Sequence, residues 1–292
     1  MGEAGSVVRA YAIAAGCGVA ADPVTCLRET RLERLLAAQA SRLIGLSTLM
    51  LGIDGRMAWS PTVDGEIVAD QPLRLALDAG VSKPLLVGAN ASEGYVFAYG
   101  DGSRMGRLAY ETGLRVLLGE EAAMTVIETL VPPWTADHRS AFVDFASDYL
   151  FRCPSLALAR SVRAPVYVYE LDHVTSFNVL ETVEICADVA CHGDELPFVF
   201  GLAEGAKSFT PEERVLSELM QNAWGAFVRR PSQLSSVELS AGVRWPRFTA
   251  RGEDALSLAL PVSIGPANAE RCDVNYALGH GDLGPFGAPS AD

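Results

Sequence analysis

Two side chains in this 292-residue sequence have types and surroundings suited to proton chemistry: His192, in Cys191-His192-Gly193, and Glu93, ahead of Gly94. An imidazole carried on a loop beside glycine can project into a cleft and exchange a proton near neutral pH. A carboxylate bonded to one ring nitrogen fixes the tautomer and leaves the other nitrogen free to take a proton and return it. Taken singly, each residue also has a plainer reading. A glutamate before a glycine is most often a solvated loop residue. His192 with Cys186 and Cys191 makes C-x4-C-H, half of a metal set that lacks a fourth ligand. His138, His173 and His280 stand in polar or turn-like contexts and are expected at the surface.

A nucleophile to match is missing. A nucleophilic serine of the α/β kind sits in G-x-S-x-G between a strand and a helix, and that pattern does not occur in the sequence. Gly45-Leu46-Ser47-Thr48-Leu49 comes nearest in form, but Leu49 stands where the sharp turn needs its closing glycine.

The elements that must position these residues are those of an α/β protein. Lys83–Asn90 is a short apolar run with polar ends, read as a strand buried on both faces. Glu93 follows its C-terminal end, which is where α/β sheets place their sites. Residues 164–171, rich in Val and Tyr and alternating, predict a second strand, and Ala255–Val262 a third. Helical spacing predicts helices over 27–39, 104–130 and 138–163, with Pro154 opening a new segment in the last. Pro72–Gly80 is a further short helix. The clearest helix is 211–230, with Thr210 as cap, Pro211 at the first position and Glu213 closing the capping box. Ser6–Ala15 is small and apolar with Arg9 inside it. An export signal carries its positive charge ahead of the apolar core, so this segment is read as a buried helix. Strands alternating with long helices predict a parallel sheet, yet two or three strands are few for this length.

Composition narrows the classes. The sequence is 49% hydrophobic and 20% charged, which is globular. No run approaches the roughly 20 apolar residues needed to span a bilayer. The net charge of -13, with no Lys/Arg cluster, argues against a nucleic-acid partner. Six cysteines permit three disulfides in any of about 15 pairings, and composition alone does not decide between these and buried thiols, the plainer reading for any one cysteine.

Four segments, in order, resemble the type-B carboxylesterases, the cholinesterase-like and para-nitrobenzyl esterase-like family. Asp64-Gly65 after Ser60-Pro61 is similar to the family's P-x-x-D-G turn. Leu86-Val87-Gly88-Ala89-Asn90-Ala91-Ser92-Glu93-Gly94 is similar to L-x-G-x-N-x-x-E-G. Cys191-His192-Gly193-Asp194-Glu195-Leu196-Pro197-Phe198-Val199-Phe200-Gly201 is similar to H-G-x-E-L-x-F-V-F-G. Trp224 and Phe227, then Trp245-Pro246, match W-x-x-F and the W-P after it. The resemblance covers about residues 10–275. It departs at Arg229-Arg230-Pro231, where the family carries R-T-G-x-P, and at Gly2-Glu3-Ala4-Gly5-Ser6, where alanine replaces the serine of G-E-S-A-G.

The resemblance implies a fold, a site and a setting. The fold is the C-terminal part of an α/β-hydrolase, an incomplete, mostly parallel sheet flanked by helices, with the nucleophile strand absent. Residues 1–275 form this portion and 276–292 a flexible Gly/Pro-rich tail. Glu93 and His192 take the places of the acid and base of a Ser-Glu-His triad. The chain is then a truncated or split serine carboxylesterase, inactive alone, that acts on a small carboxylic ester when an N-terminal half completes it. The alternative is a non-catalytic binding module of the same family, which would need neither residue. No cofactor and no metal are expected. The strand Leu85–Val87 would form an exposed apolar edge, a seat for a partner chain. The register pairs Cys17–Cys26, Cys153–Cys272 and Cys186–Cys191, and three bridges imply a secreted or extracytoplasmic setting.

Overall fold

A computed structural model describes residues 3–41, 63–99, 103–129, 135–179, 186–202, 208–240, 242–249, 251–267 and Cys272. Along the chain the helices are α1 (Glu3–Ala14), α2 (Pro23–Glu29), α3 (Leu32–Gln39), α4 (Pro72–Ala79), α5 (Tyr95–Tyr99), α6 (Arg107–Leu118), α7 (Glu120–Thr129), α8 (Arg139–Ser147), α9 (Cys153–Ser161), α10 (Glu195–Phe200) and α11 (Pro211–Arg229). The strands are β1 (Leu85–Asn90), β2 (Val166–Leu171), β3 (Glu238–Ser240), β4 (Val243–Arg244), β5 (Asp254–Leu258) and β6 (Ser263–Pro266). The chain divides into two units, Met1–Asp70 with Glu111–Val131, and Gln71–Tyr110 with Pro132–Asp292. Ser60, Pro61, the Gly45–Leu49 segment, His280 and the expected tail 276–292 lie outside the described residues.

In the first unit the Cys17–Cys26 disulfide closes a nine-residue separation between α1 and α2. Asp22 starts α2 by accepting from the Val24 and Thr25 amides, with Pro23 at the first position. The helix expected over 27–39 is therefore two helices. Thr30 and Arg31 are extended between them, and the Thr30 hydroxyl takes the Cys26 carbonyl that the ending helix leaves open. Helix α1 is not wholly buried as expected. Ala12 and Ala15 are inside, while Val8 and Ile13 are half exposed. The 104–130 helix is likewise broken, by Gly119 at φ +78°. The expected Asp-Gly turn is present: the Asp64 carboxylate accepts from the amides of Glu66, Ile67 and Val68, each at 2.9 Å.

The second unit is built on a four-stranded sheet in the order β1-β2-β5-β6. Strands β1, β2 and β5 run parallel, and β6 returns antiparallel. Alternation along the strands divides two cores. Val166 and Val168 of β2, with Leu85 and Val87 of β1, face α9 and its Leu156 and Ala157. Tyr167 and Leu171, with Leu86, Leu256 and Leu258, face α11 through Leu216, Leu219, Met220 and Ala223. Trp245 fills the second core with no exposure and donates its indole N–H to the Val168 carbonyl at 3.0 Å. The capping box of α11 is complete, with the Thr210 hydroxyl accepting from the Glu213 amide and the Glu213 carboxylate accepting from the Thr210 amide.

Three expectations need correction here. Strand β1 is half-buried over Leu85–Gly88 rather than buried on both faces, because it is the outer strand and, among the described residues, no strand pairs with its far side. The third strand stops at Leu258, and the chain turns through Leu260-Pro261 into β6, which is too short to show alternation. His138 is not a surface residue: it is 4% exposed, and its ring stacks on Tyr110 at 5.5 Å between centroids. His173 is also largely covered, with Nε2 3.3 Å from Glu213 Oε1.

Candidate active site

Glu93 stands in the turn that carries the chain from β1 into α5. The glycines on either side of it allow two close approaches. A Cβ on Gly88 would lie 2.3 Å from the Tyr169 carbonyl oxygen, so β1 and β2 meet there only through glycine. A Cβ on Gly94 would lie 2.6 Å from the Val143 carbonyl oxygen, so the turn rests directly on α8. The Gly94 amide donates to Ser147 Oγ at 2.9 Å, and that hydroxyl donates to the Val143 carbonyl at 2.7 Å.

His192 follows the Cys186–Cys191 disulfide and precedes Gly193, whose φ of +88° is open to glycine at little cost. The Cys191 amide donates to Asp194 Oδ2 at 2.7 Å, closing a tight loop just before α10. One backbone bond brings this loop to the turn after β1, and a second carries the pairing of β1 with β2 one residue further. Ser92 donates to the Ala190 carbonyl at 3.0 Å, and Ala91 donates to the Leu171 carbonyl at 2.8 Å. The parallel register of β1 and β2, Asn90 opposite Leu171, puts both loops on the same edge.

There His192 Nδ1 lies 2.6 Å from Glu93 Oε2. The other carboxylate oxygen of Glu93 accepts from the Asn90 amide at 2.8 Å. Asn90 Nδ2 donates to the Cys191 carbonyl at 2.6 Å and to Glu195 Oε2 at 2.7 Å. The Glu93 side chain is 7% exposed and that of His192 is 49% exposed, so the carboxylate is fixed inside and the imidazole opens outward. Among the described residues Nε2 of His192 has no hydrogen-bond partner. The Phe151 ring lies 5.2 Å from the imidazole. It is carried on the π-helical turn Asp148–Arg152 between α8 and α9. Arg152 on the same turn pairs with both Asp148 and Glu170.

The charges around the imidazole favour its protonated form. The hydrogen bond that His192 Nδ1 donates to Glu93 raises the His192 pKa above its ordinary value, burial works against it, and the charges of Glu93, Glu195 and Asp194 add to the rise. Burial pushes the Asp194 carboxyl up to about 7, although its bond from the Cys191 amide acts the other way. An imidazole bonded through Nδ1 to a buried carboxylate, with Nε2 turned to open space, can accept a proton from a hydroxyl and give it to a departing group.

Both sequence-selected residues thus meet at one sheet edge. The two cysteines that might have joined His192 in a metal set are bonded to each other instead. Asn90, Asp194 and Glu195 stand inside the quoted motifs without an assigned role, and Ser147 and Phe151 are in neither motif. Asp194 and Glu195 are near His192 in sequence, but the contacts of Asn90, Ser147 and Phe151 with the pair's surroundings cross about 40 residues or more and are visible only in the structure. All three expected disulfides are formed, and the described residues hold no free cysteine.

A mostly parallel sheet with helices on both faces and a histidine–carboxylate pair beyond its strand ends belongs to the α/β-hydrolase fold. A profile of the Carboxylesterase family matches residues 2–275, and the chain belongs to that family. The chain is 26% identical over 217 residues to the para-nitrobenzyl esterase of Bacillus subtilis (strain 168), covering 72% of this chain and 41% of that protein. It is 28% identical over 276 residues to the "Crystal protein" of Dictyostelium discoideum, covering 91% and 49%. It is 28% identical over 255 residues to the cholinesterase of Mus musculus, covering 80% and 40%. A solved structure of a PNB esterase superposes with a TM-score of 0.70 at 24% identity, over 94% of this chain and 54% of that one, a likeness of fold. The chain therefore spans about half the length, or less, of the relatives it matches.

Proposed function

We propose that this chain supplies the acid, Glu93, and the base, His192, of a Ser-Glu-His triad that hydrolyses carboxylic esters. The serine and its oxyanion donors come from polypeptide outside these 292 residues. The observation that carries the reading is the 2.6 Å bond from His192 Nδ1 to Glu93, with Nε2 left toward solvent. In the reaction, Nε2 takes the serine proton as the serine oxygen attacks the ester carbonyl. The imidazolium, held by Glu93, then gives that proton to the departing alcohol. Water attacks the acyl-enzyme with the same imidazole as base, and the serine hydroxyl is restored as the acid leaves.

The outer position of β1 supports the second half of this reading. Among the described residues, Leu85, Leu86 and Val87 offer an unpaired edge on β1, the strand that itself leads to Glu93. A further strand seated there would bring its own C-terminal loop to the same end of the sheet. Membership of the family supports a small-molecule ester as substrate, and the three disulfides support an extracytoplasmic setting.

Incubating the 292-residue chain alone with a fluorophosphonate and with p-nitrophenyl acetate tests the division of labour. No serine is labelled and no turnover above buffer is seen if the nucleophile comes from elsewhere. Stoichiometric labelling of one serine contradicts the reading.

A further inference from the structure

Asn90 ends β1 at 1% exposure, and its side chain reaches a segment a hundred residues away. Its amide nitrogen donates to the Cys191 carbonyl at 2.6 Å and to Glu195 Oε2 at 2.7 Å, while its backbone N–H donates to Glu93 Oε1 at 2.8 Å. One residue thus holds both halves of the pair. The main chain fixes the oxygen of Glu93 that does not face His192, and the side chain fixes the peptide immediately before His192. The orientation of the amide is settled by its neighbours, because both atoms within reach of Nδ2 are acceptors. Asn90 Oδ1 is buried and, among the described residues, has no hydrogen-bond partner. An apolar side chain would avoid that unsatisfied oxygen, so the two donors are what a polar residue contributes at this position.

We infer that Asn90 is a positioning residue, which holds the Cys191 peptide and Glu195 so that Nδ1 of His192 faces Glu93. The inference rests on the reading of Glu93 and His192 as acid and base. The other ties on the loop act differently. The Cys186–Cys191 disulfide and the Cys191–Asp194 bond shape the loop within itself. Among the described residues, and apart from the Glu93–His192 bond itself, Asn90 and the Ser92–Ala190 backbone bond join it to the end of β1. Of these two, Asn90 grips the residue next to His192.

Proton NMR of the full 292-residue chain tests this through the Nδ1–H of His192, which resonates far downfield when a carboxylate holds it. Wild type shows the resonance and Glu93→Gln loses it. Asn90→Ala is expected to lose it as well, with the His192 titration moving down toward the ordinary histidine value. Asn90→Asp keeps the shape but turns a carboxylate toward Glu195 and the Cys191 carbonyl, and it gives the same loss. A folded Asn90 variant that keeps the resonance and the titration overturns the role given to Asn90. Absence of the resonance from wild type, or its survival in Glu93→Gln, overturns the acid–base reading instead, so the two failures are distinct. If neither Asn90 variant folds, hydrogen exchange of the wild-type Asn90 side-chain amide decides. Protection supports the inference, and exchange as fast as that of the exposed Asn222 overturns it.

Discussion

His192 Nδ1 and Glu93 Oε2 are 2.6 Å apart across 99 residues of sequence. The bond raises the His192 pKa above 6.5, chiefly through the Glu93 hydrogen bond. The sign of the linkage follows. A histidine whose folded pKa is raised adds stability that is complete below its unfolded pKa and is lost as pH rises through the folded one. Urea denaturation of wild type and Glu93→Gln should therefore differ most near pH 6, with the gap closing as pH climbs through the raised value. A gap that widens from pH 6 to 9 is contrary to this.

Asp194 has the opposite consequence from the usual carboxylate. Its pKa is pushed up to about 7 by burial, so the folded chain binds a proton that the unfolded chain has already lost above pH 4. Stability should fall as pH rises from about 4 to 7, by about 2–4 kcal/mol. In Asp194→Asn that fall should be largely absent, because the amide oxygen can still accept from the Cys191 N–H without carrying charge. Parallel pH profiles of stability for the two proteins would refute the account of Asp194.

Gly94→Ala and Gly65→Ala separate two reasons for a glycine. At Gly94 the added methyl meets backbone, 2.6 Å from the Val143 oxygen and 3.1 Å from the Ser147 nitrogen, and neither can step aside. Overpacking of this kind costs about 2–3 kcal/mol, and it should also displace Glu93. At Gly65 nothing lies within 4 Å, and only the φ of +76° opposes a side chain, a strain of about 1 kcal/mol. Thermal melting should rank Gly94→Ala as the more destabilised, and the reverse order would show that the close approach does not matter.

Where a signal is local, the sequence carries it. Val166–Leu171 alternates and is a strand, and Thr210-Pro211 with Glu213 announces α11 at the residue where it begins. The failures have physical causes. Gly119 breaks a helix through its own backbone angle while the apolar spacing runs on past it. Strands of two to four residues, β3, β4 and β6, are too short to alternate. His138 sits between Asp137 and Arg139, and that polar company hides a ring that turns inward onto Tyr110. At the site, nothing near Glu93 points to His192, and only the family resemblance pairs them. The bonds of Asn90 and the raised pKa of Asp194 depend on atoms brought close by the sheet edge, which no spacing encodes.

The most direct test of the central claim is kcat/KM for p-nitrophenyl acetate in an assembly that joins this chain to an esterase N-terminal half bearing a nucleophilic serine. Wild type would be compared there with His192→Ala and Glu93→Gln. Loss of the base should lower kcat/KM by about four orders of magnitude, and loss of the acid by a large factor that falls on kcat rather than KM. An active assembly in which His192→Ala retains wild-type kcat/KM within about threefold would contradict the assignment of His192 as the base.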